Sequence, residues 1–376
     1  MEKDSAADGL RGLAALNVFF AHFFLAFFPA GFVYYFPWAA ANGAAHGFVE
    51  RIISTPVLSV FWNGRFPVCL FFVLSGYVLT KSFSKNGNLE NVRRNAARRY
   101  FRLSVPIFCS VIVAYIVMSL GGYHSKSASE ITHSAWLDGQ YTIVPNIINA
   151  LKAGVFGAII NGDASYNSVL WTMRIEFIGS FLIYAYRLLA FPGRRAWLII
   201  VPYFALSVAL SPDGWPFYVA FLLGSLIGDM PRAKSRLVPI AFVLLGLFLG
   251  AFDSSAVFSL LHRLTVNAEL MSRICGVLGG CAILYGVVCG AFSSLLNSRC
   301  VQFLGRVSYS FYLLHIIVLL SFSCWIFKIA FYGYGIDIKY SAFISLVFTI
   351  PVLLLLAWAF DRLIDRPAVN YFKRLI

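Results

Sequence analysis

Asp8-Gly9-Leu10-Arg11-Gly12-Leu13-Ala14-Ala15-Leu16-Asn17-Val18-Phe19-Phe20-Ala21-His22 opens an apolar run that begins at Gly9 and continues to Phe28. About 20 apolar residues at roughly 1.5 Å each span a bilayer. One arginine stands at the entrance of this run and one histidine well inside it. Ionisable groups within a span are costly, so each is a candidate for function. Arg11 alone also fits a topology-setting charge, and His22 alone a hydrogen bond between helices. Their spacing unites them: eleven residues at about 100° each make three turns plus roughly 20°, placing both on one face about 16 Å apart. Such a face holds a charged group at the membrane surface and presents an imidazole in the interior.

The rest of the chain has the same character. Of 376 residues, 60% are hydrophobic and 12% charged, with a mean hydropathy of +0.78. A soluble protein carries about 25% charged residues, so the fold expected is all-α and polytopic in a membrane. The net charge of +14 would suggest nucleic acid in a soluble chain. Here the charges sit in short connections, which points to topology and a lipid bilayer, with no nucleic-acid partner. The first span continues through Phe23-Phe24-Leu25 without a small-residue cleavage site and is expected to be retained. Seven cysteines form no CxxC pair and fall mostly in apolar segments, so they read as small buried hydrophobes; neither a disulfide framework nor a metal site is expected.

About ten spans are expected: 9–28, 68–80 (with a start that could precede Pro67), 103–120, 168–189, 196–210, 215–227, 237–252, 274–292, 307–327 and 341–360. Between the second and third lies the most basic connection, with Lys81, Lys85, Arg93, Arg94, Arg98, Arg99 and Arg102 against Glu90. The positive-inside rule makes it cytoplasmic, and with it both termini. On that assignment 21 of the 30 lysines and arginines, Lys3, Arg194 and Arg195 among them, lie inside and 8 outside, with Arg174 within a span. The connection 121–167 then lies on the outer side, and no internal repeat is visible.

Of six histidines, His46, His124, His133 and His262 fall outside the spans, leaving His22 and His315 within them. His315 is about nine residues, roughly 13 Å, from the inner end of its helix, close to the depth of His22. Glu176 is the one carboxylate in the middle of a span, and Arg174, two residues away, points to a different face. Ser75 and Gly76 read as packing residues that let helices approach, and Asp365-Arg366-Pro367 as a helix terminus.

These residues together resemble the acyltransferase family 3 membrane O-acyltransferases. Arg11 and His22 match that family's arginine, ten residues, histidine opening. Arg99 and Arg102 match its R-x-x-R motif, and Phe72, Ser75 and Gly76 its Phe-Phe-x-x-Ser-Gly segment. Trp171, Thr172 and Glu176 match its Trp-Ser/Thr…Glu motif, in which Arg174 is a departure. The run Gly305 to His315 resembles its second histidine motif, and Asp365-Arg366-Pro367 a recurring terminus. The resemblance implies a single transmembrane acyltransferase domain over residues 1–376, without the hydrolase-like domain that some members add. It implies acetyl-CoA as donor and a glycan or lipid-linked sugar as acceptor, in a bacterial inner membrane. Imidazole titrates near neutrality and suits a base that takes a hydroxyl proton during attack on a thioester. His22 is expected as that base or as a transient acyl carrier, with His315 and Glu176 completing or orienting the site. Arginine's planar donor fork suits the phosphates of coenzyme A, assigned to Arg11, Arg99 and Arg102. The rival from another class is a transporter or flippase for a lipid-linked or polysaccharide substrate. Such proteins often show inverted repeats and Gly/Pro-broken helix pairs, and neither is clear here. The acceptor stays open among surface polysaccharide, O-antigen, lipid-linked oligosaccharide and macrolide-like molecules.

Overall fold

The computed structural model describes residues 4–44, 47–86, 89–190, 196–264 and 267–375, so Lys3, His46, Arg194 and Arg195 lie outside the described residues. Its principal helices are α1 (Ser5–Phe27), α2 (Arg65–Asn86), α3 (Leu89–Ser119), α4 (Trp171–Ala190), α5 (Ala196–Leu210), α6 (Trp215–Ile227), α7 (Leu237–Gly250), α8 (Ala268–Val288), α9 (Arg299–Val318) and α10 (Ile338–Phe360). No strand occurs among the described residues. Among the described residues, six segments are long and apolar enough to cross a membrane: Ser5–Phe27, Arg93–Ser119, Ser168–Ala190, Ala268–Val288, Arg299–Gly333 and Ile338–Phe372. Ile147–Asn161, Trp197–Leu210, Trp215–Ile227 and Leu237–Gly250 are apolar but shorter.

Several sequence boundaries move, each for a physical reason. The basic connection is largely helix, since α2 runs to Asn86 and α3 starts at Leu89. Arginine and lysine are good helix formers, so the helices continue past the apolar stretch. Pro67 falls in the first turn of α2, where its missing N–H costs nothing. The expected terminus at Asp365-Arg366-Pro367 does not end the helix. A wider π-type turn over Asp361–Asp365 carries it into a further helix, Arg366–Leu375, with Pro367 again in a first turn.

The register of the bundle is set where small residues let backbones meet. A Cβ on Gly12 would lie 2.4 Å from the Gly305 nitrogen, and one on Gly305 would lie 2.3 Å from the Asp8 carbonyl. From that contact α1 and α9 run parallel, with Phe19 against Phe311 (centroids 6.0 Å) and Phe27 against Phe327 (4.7 Å) in the helix Cys324–Lys328 that continues α9. His22 stands ten residues beyond Gly12, and His315 ten beyond Gly305. Parallel helices in contact therefore carry the two imidazoles to the same depth. A second close approach joins α2 to α6: a Cβ on Gly76 would meet the Phe221 oxygen at 2.0 Å, and one on Gly224 the Val73 oxygen at 1.9 Å.

The start of α1 is tied to the end of α2. Asp4 caps α1 by accepting from the Ala7 nitrogen (3.2 Å), and also receives the Tyr77 hydroxyl (2.8 Å) and Lys81 Nζ (2.5 Å). Burial raises this carboxyl, but Lys81, Tyr77 and the Ala7 N–H outweigh it and hold it below its ordinary 3.8. A carboxyl lowered in the folded state stabilises above its unfolded pKa, and that contribution is lost as pH falls through the folded value. Asp4→Ala is expected to cost about 1–2 kcal/mol from the cap, read as a lower melting temperature in detergent at neutral pH. The gap to the parent should narrow as pH falls below the ordinary 3.8 and close once it passes the parent's lower folded value.

Candidate active site

At the far end of the α1–α9 contact, His315 Nε2 lies 3.1 Å from His22 Nδ1, with ring centroids 5.2 Å apart. His315 is fully buried, and its Nδ1 is 2.7 Å from the Tyr312 carbonyl. His22 is half-buried, with Nδ1 3.0 Å from the Val18 carbonyl. These contacts assign the protons, because a carbonyl only accepts. His315 Nδ1–H must donate to Tyr312, leaving its Nε2 as an acceptor. His22 Nδ1–H then donates, shared between Val18 and His315 Nε2. The nitrogen left with a free lone pair is His22 Nε2.

A cavity of about 220 Å³ lies at the end of the bundle where α1 begins and extends to Tyr312, without either histidine in its lining. Arg11, Arg99, Arg102 and Arg306 line it together with Glu176 and Asp365, and Thr172 and Tyr312 line it deeper in. Tyr312 precedes His315 by less than one turn, and their rings are 5.6 Å apart. Its hydroxyl lies 3.0 Å from Thr172 Oγ1, which itself donates to the Val169 carbonyl (2.9 Å), so Tyr312 is held by Thr172 and edge-on by Phe71.

Charge within the cavity is unevenly neutralised. Glu176 and Arg99 form a buried ion pair. Ser75 Oγ donates to the same carboxylate at 2.8 and 3.0 Å, while Arg99 Nε donates to Ser180 Oγ (2.9 Å). Arg11 is 3.3 Å from Asp8. Arg102 is exposed into the cavity. An anion entering this space meets guanidinium donors whose positions the helices already fix.

The sequence-derived residues thus form two groups. His22 and His315 meet directly; Arg11, Arg99, Arg102 and Glu176 share the cavity. Glu176 touches Arg99 and Ser75, not an imidazole, so the orienting groups of the histidines are the Tyr312 and Val18 carbonyls. Arg174 packs beside Gly162 and is not among the cavity's lining residues, in keeping with its different face. Ser75, read as a packing residue, is a donor to Glu176, while Gly76 does pack. Asp365, read as part of a helix terminus, lines the cavity. Trp136 was missed altogether, and its indole stacks on His22 at 5.4 Å. No composition signal marked it, but its place in a connection next to apolar residues could have flagged it.

The family model described as an acyltransferase domain matches residues 4–362. The chain belongs to acyltransferase family 3. Its relatives carry names of the same kind. An acyltransferase (clz18) of Cochliobolus lunatus is 22% identical over 84% of this chain and 81% of its own length. An acyltransferase (R4) of Phoma sp. is 20% identical over 86% of this chain and 83% of its own length. An O-acetyltransferase (PaAT-1) of Phomopsis amygdali is 26% identical over 49% of this chain and 40% of its own. No solved structure matches the chain. As a family 3 acyltransferase the chain is a membrane enzyme that moves an acyl group to an acceptor, and the transporter alternative has no observation in its favour.

Proposed function

We propose that this acyltransferase is an integral membrane O-acetyltransferase that takes acetyl-CoA from the cytoplasm and passes the acetyl group to a hydroxyl of a glycan or lipid-linked sugar. The observation that carries the reading is the contact between His22 and His315, with Tyr312 between His315 and a cavity lined by four arginines. Arg11 and His22 share a helix face about 16 Å apart, room for an extended thiol arm whose phosphates rest on Arg11, Arg99 and Arg102. The acceptor oxygen attacks the thioester carbon as His22 Nε2 takes its proton. The new C–O bond forms, the C–S bond breaks, and the leaving thiolate takes that proton back. The charge that develops on His22 is stabilised through Nδ1–H by the Val18 carbonyl and His315 Nε2. Glu176 positions Arg99.

In the membrane we propose ten spans, α1 to α10, with both termini in the cytoplasm. The excess of arginine and lysine in the segments assigned inside supports this, as does the parallel run of α1 and α9, the first and ninth spans. The membrane would be the plasma membrane, the inner one in a bacterial host.

The test is to incubate the purified chain with labelled acetyl-CoA and candidate hydroxyl acceptors, including polysaccharide and lipid-linked oligosaccharide. Acetyl ester formed with one thiol released per transfer is the expected result. Saturable movement of an acceptor across vesicles with no acylated product would overturn the proposal.

A further inference from the structure

The end of the histidine pair away from the arginines is roofed by one short segment. Before its first helix, Ser125–Thr132, the His124 nitrogen donates to the Leu320 carbonyl at 2.9 Å, five residues beyond His315. That carbonyl lies in a π-type turn, Leu319–Ser323, in the continuation of α9. Past the helix, the fully buried Ser134 donates its hydroxyl to the Leu25 carbonyl at 2.9 Å, three residues beyond His22. The same Ser134 oxygen accepts from the Leu137 nitrogen (3.3 Å) and so caps the turn Ala135–Asp138. The Ala41 nitrogen donates to the His133 carbonyl at 2.9 Å, adding a third tie. Both anchor points therefore lie about one turn past a histidine, one on each of the two helices that carry them. Trp136 hangs from this strap with its indole stacked on the His22 ring, at an interplanar angle of 29°.

A base poised to deprotonate an alcohol deprotonates water equally well, and water is always present in excess. Transfer then depends on keeping water off the base until the acceptor arrives. From the strap and the stack we propose that Trp136 is a positioning residue that closes the acceptor side of the histidine pair and sets how the acyl group is divided between acceptor alcohol and water. Without closure, water replaces the alcohol: its oxygen bonds to the thioester carbon, the C–S bond breaks, and acid and thiol are released. This rests on the acyl-transfer reading above.

The test measures thiol release by the full chain in detergent with acetyl-CoA alone. Trp136→Ala is expected to raise release about 10-fold over the parent, and Trp136→Phe, which keeps an aromatic face over His22, to stay near the parent. A merely structural role would lower release, not raise it. Adding His22→Ala to Trp136→Ala should abolish the extra release. Should Trp136→Ala not yield folded protein, Ser134→Ala removes the tie to Leu25 with the indole retained and should raise release in the same direction. Unchanged or lower release in the folded variants, beside a parent that acetylates an acceptor, overturns the closure alone. A parent that releases no thiol with any acceptor overturns the acyl-transfer reading with it.

Discussion

His22→Ala lowers the rate of acetyl transfer by about 10²–10⁴-fold, with donor affinity close to that of the parent. The two parts of this expectation come from the separation of the two groups of residues. The arginines lie around the cavity near the start of α1, and the imidazole lies three turns further along that helix. Removing the ring takes away the nitrogen with the free lone pair and leaves the phosphate contacts in place. The neighbouring histidine gives a graded control. In His315→Ala the Val18 carbonyl still accepts from His22 Nδ1–H, so the tautomer survives and only one of its two supports is lost. A smaller fall, about 10–100-fold, is expected there. Added imidazole should partly restore His22→Ala, because a free base can occupy the space left by the ring. The measurement is kcat and KM for acetyl-CoA in parent and both variants, with and without imidazole. Equal losses in both variants, with no rescue, would mean that the pair acts as a structural contact.

How much of this could be read from the residues differs between the two groups. The face shared by Arg11 and His22 is local and follows from helix geometry, so it was legible. The meeting of His22 with His315 depends on the register of helices 293 residues apart, which hydropathy does not encode. A signal did exist: Gly12 precedes His22 by ten residues and Gly305 precedes His315 by ten, and glycine is where helices touch. Glu176 was found as a costly buried carboxylate, but its partner was not. Arg99 lies on a helix extension that the apolar pattern assigned to a connection, so its pairing with a residue of α4 was out of sight. Asp365 was hidden by Pro367, which suggested a helix end. The π-type turn before it lets the chain continue and places that carboxylate on the cavity. The short apolar helices were legible from hydropathy alone: α5 and α6 run over 196–210 and 215–227 as expected, and α7 stops at Gly250, two residues before the expected 252.

Arg99 and Arg102 carry the same charge one turn apart, yet their replacement should act on different quantities. Arg99 is 6% exposed and already committed to Glu176 and Ser180. Truncating Glu176 leaves that guanidinium buried without its carboxylate, and breaking one side of a buried pair costs about 3–5 kcal/mol. Glu176→Ala is thus expected to lose much of its folded protein, seen as a large fall in melting temperature. Arg99→Ala is destabilising in turn, but the remaining carboxylate keeps Ser75 as a donor. Joining the two changes removes both charges, so the double variant should be more stable than the sum of the single losses predicts, by about 1–3 kcal/mol. Arg102, exposed into the cavity, has its donors available for an incoming phosphate. A charge-assisted hydrogen bond contributes about 1.5–3 kcal/mol, so Arg102→Ala should raise KM for acetyl-CoA by about 10- to 100-fold while melting close to the parent. Melting curves for the cycle and KM for each arginine variant decide the matter. If Arg99→Ala instead gives the larger rise in KM and Arg102→Ala the larger loss of stability, the carboxylate of Glu176 is displaced from Arg99 when the donor binds, and the ion pair is a latch on the cavity.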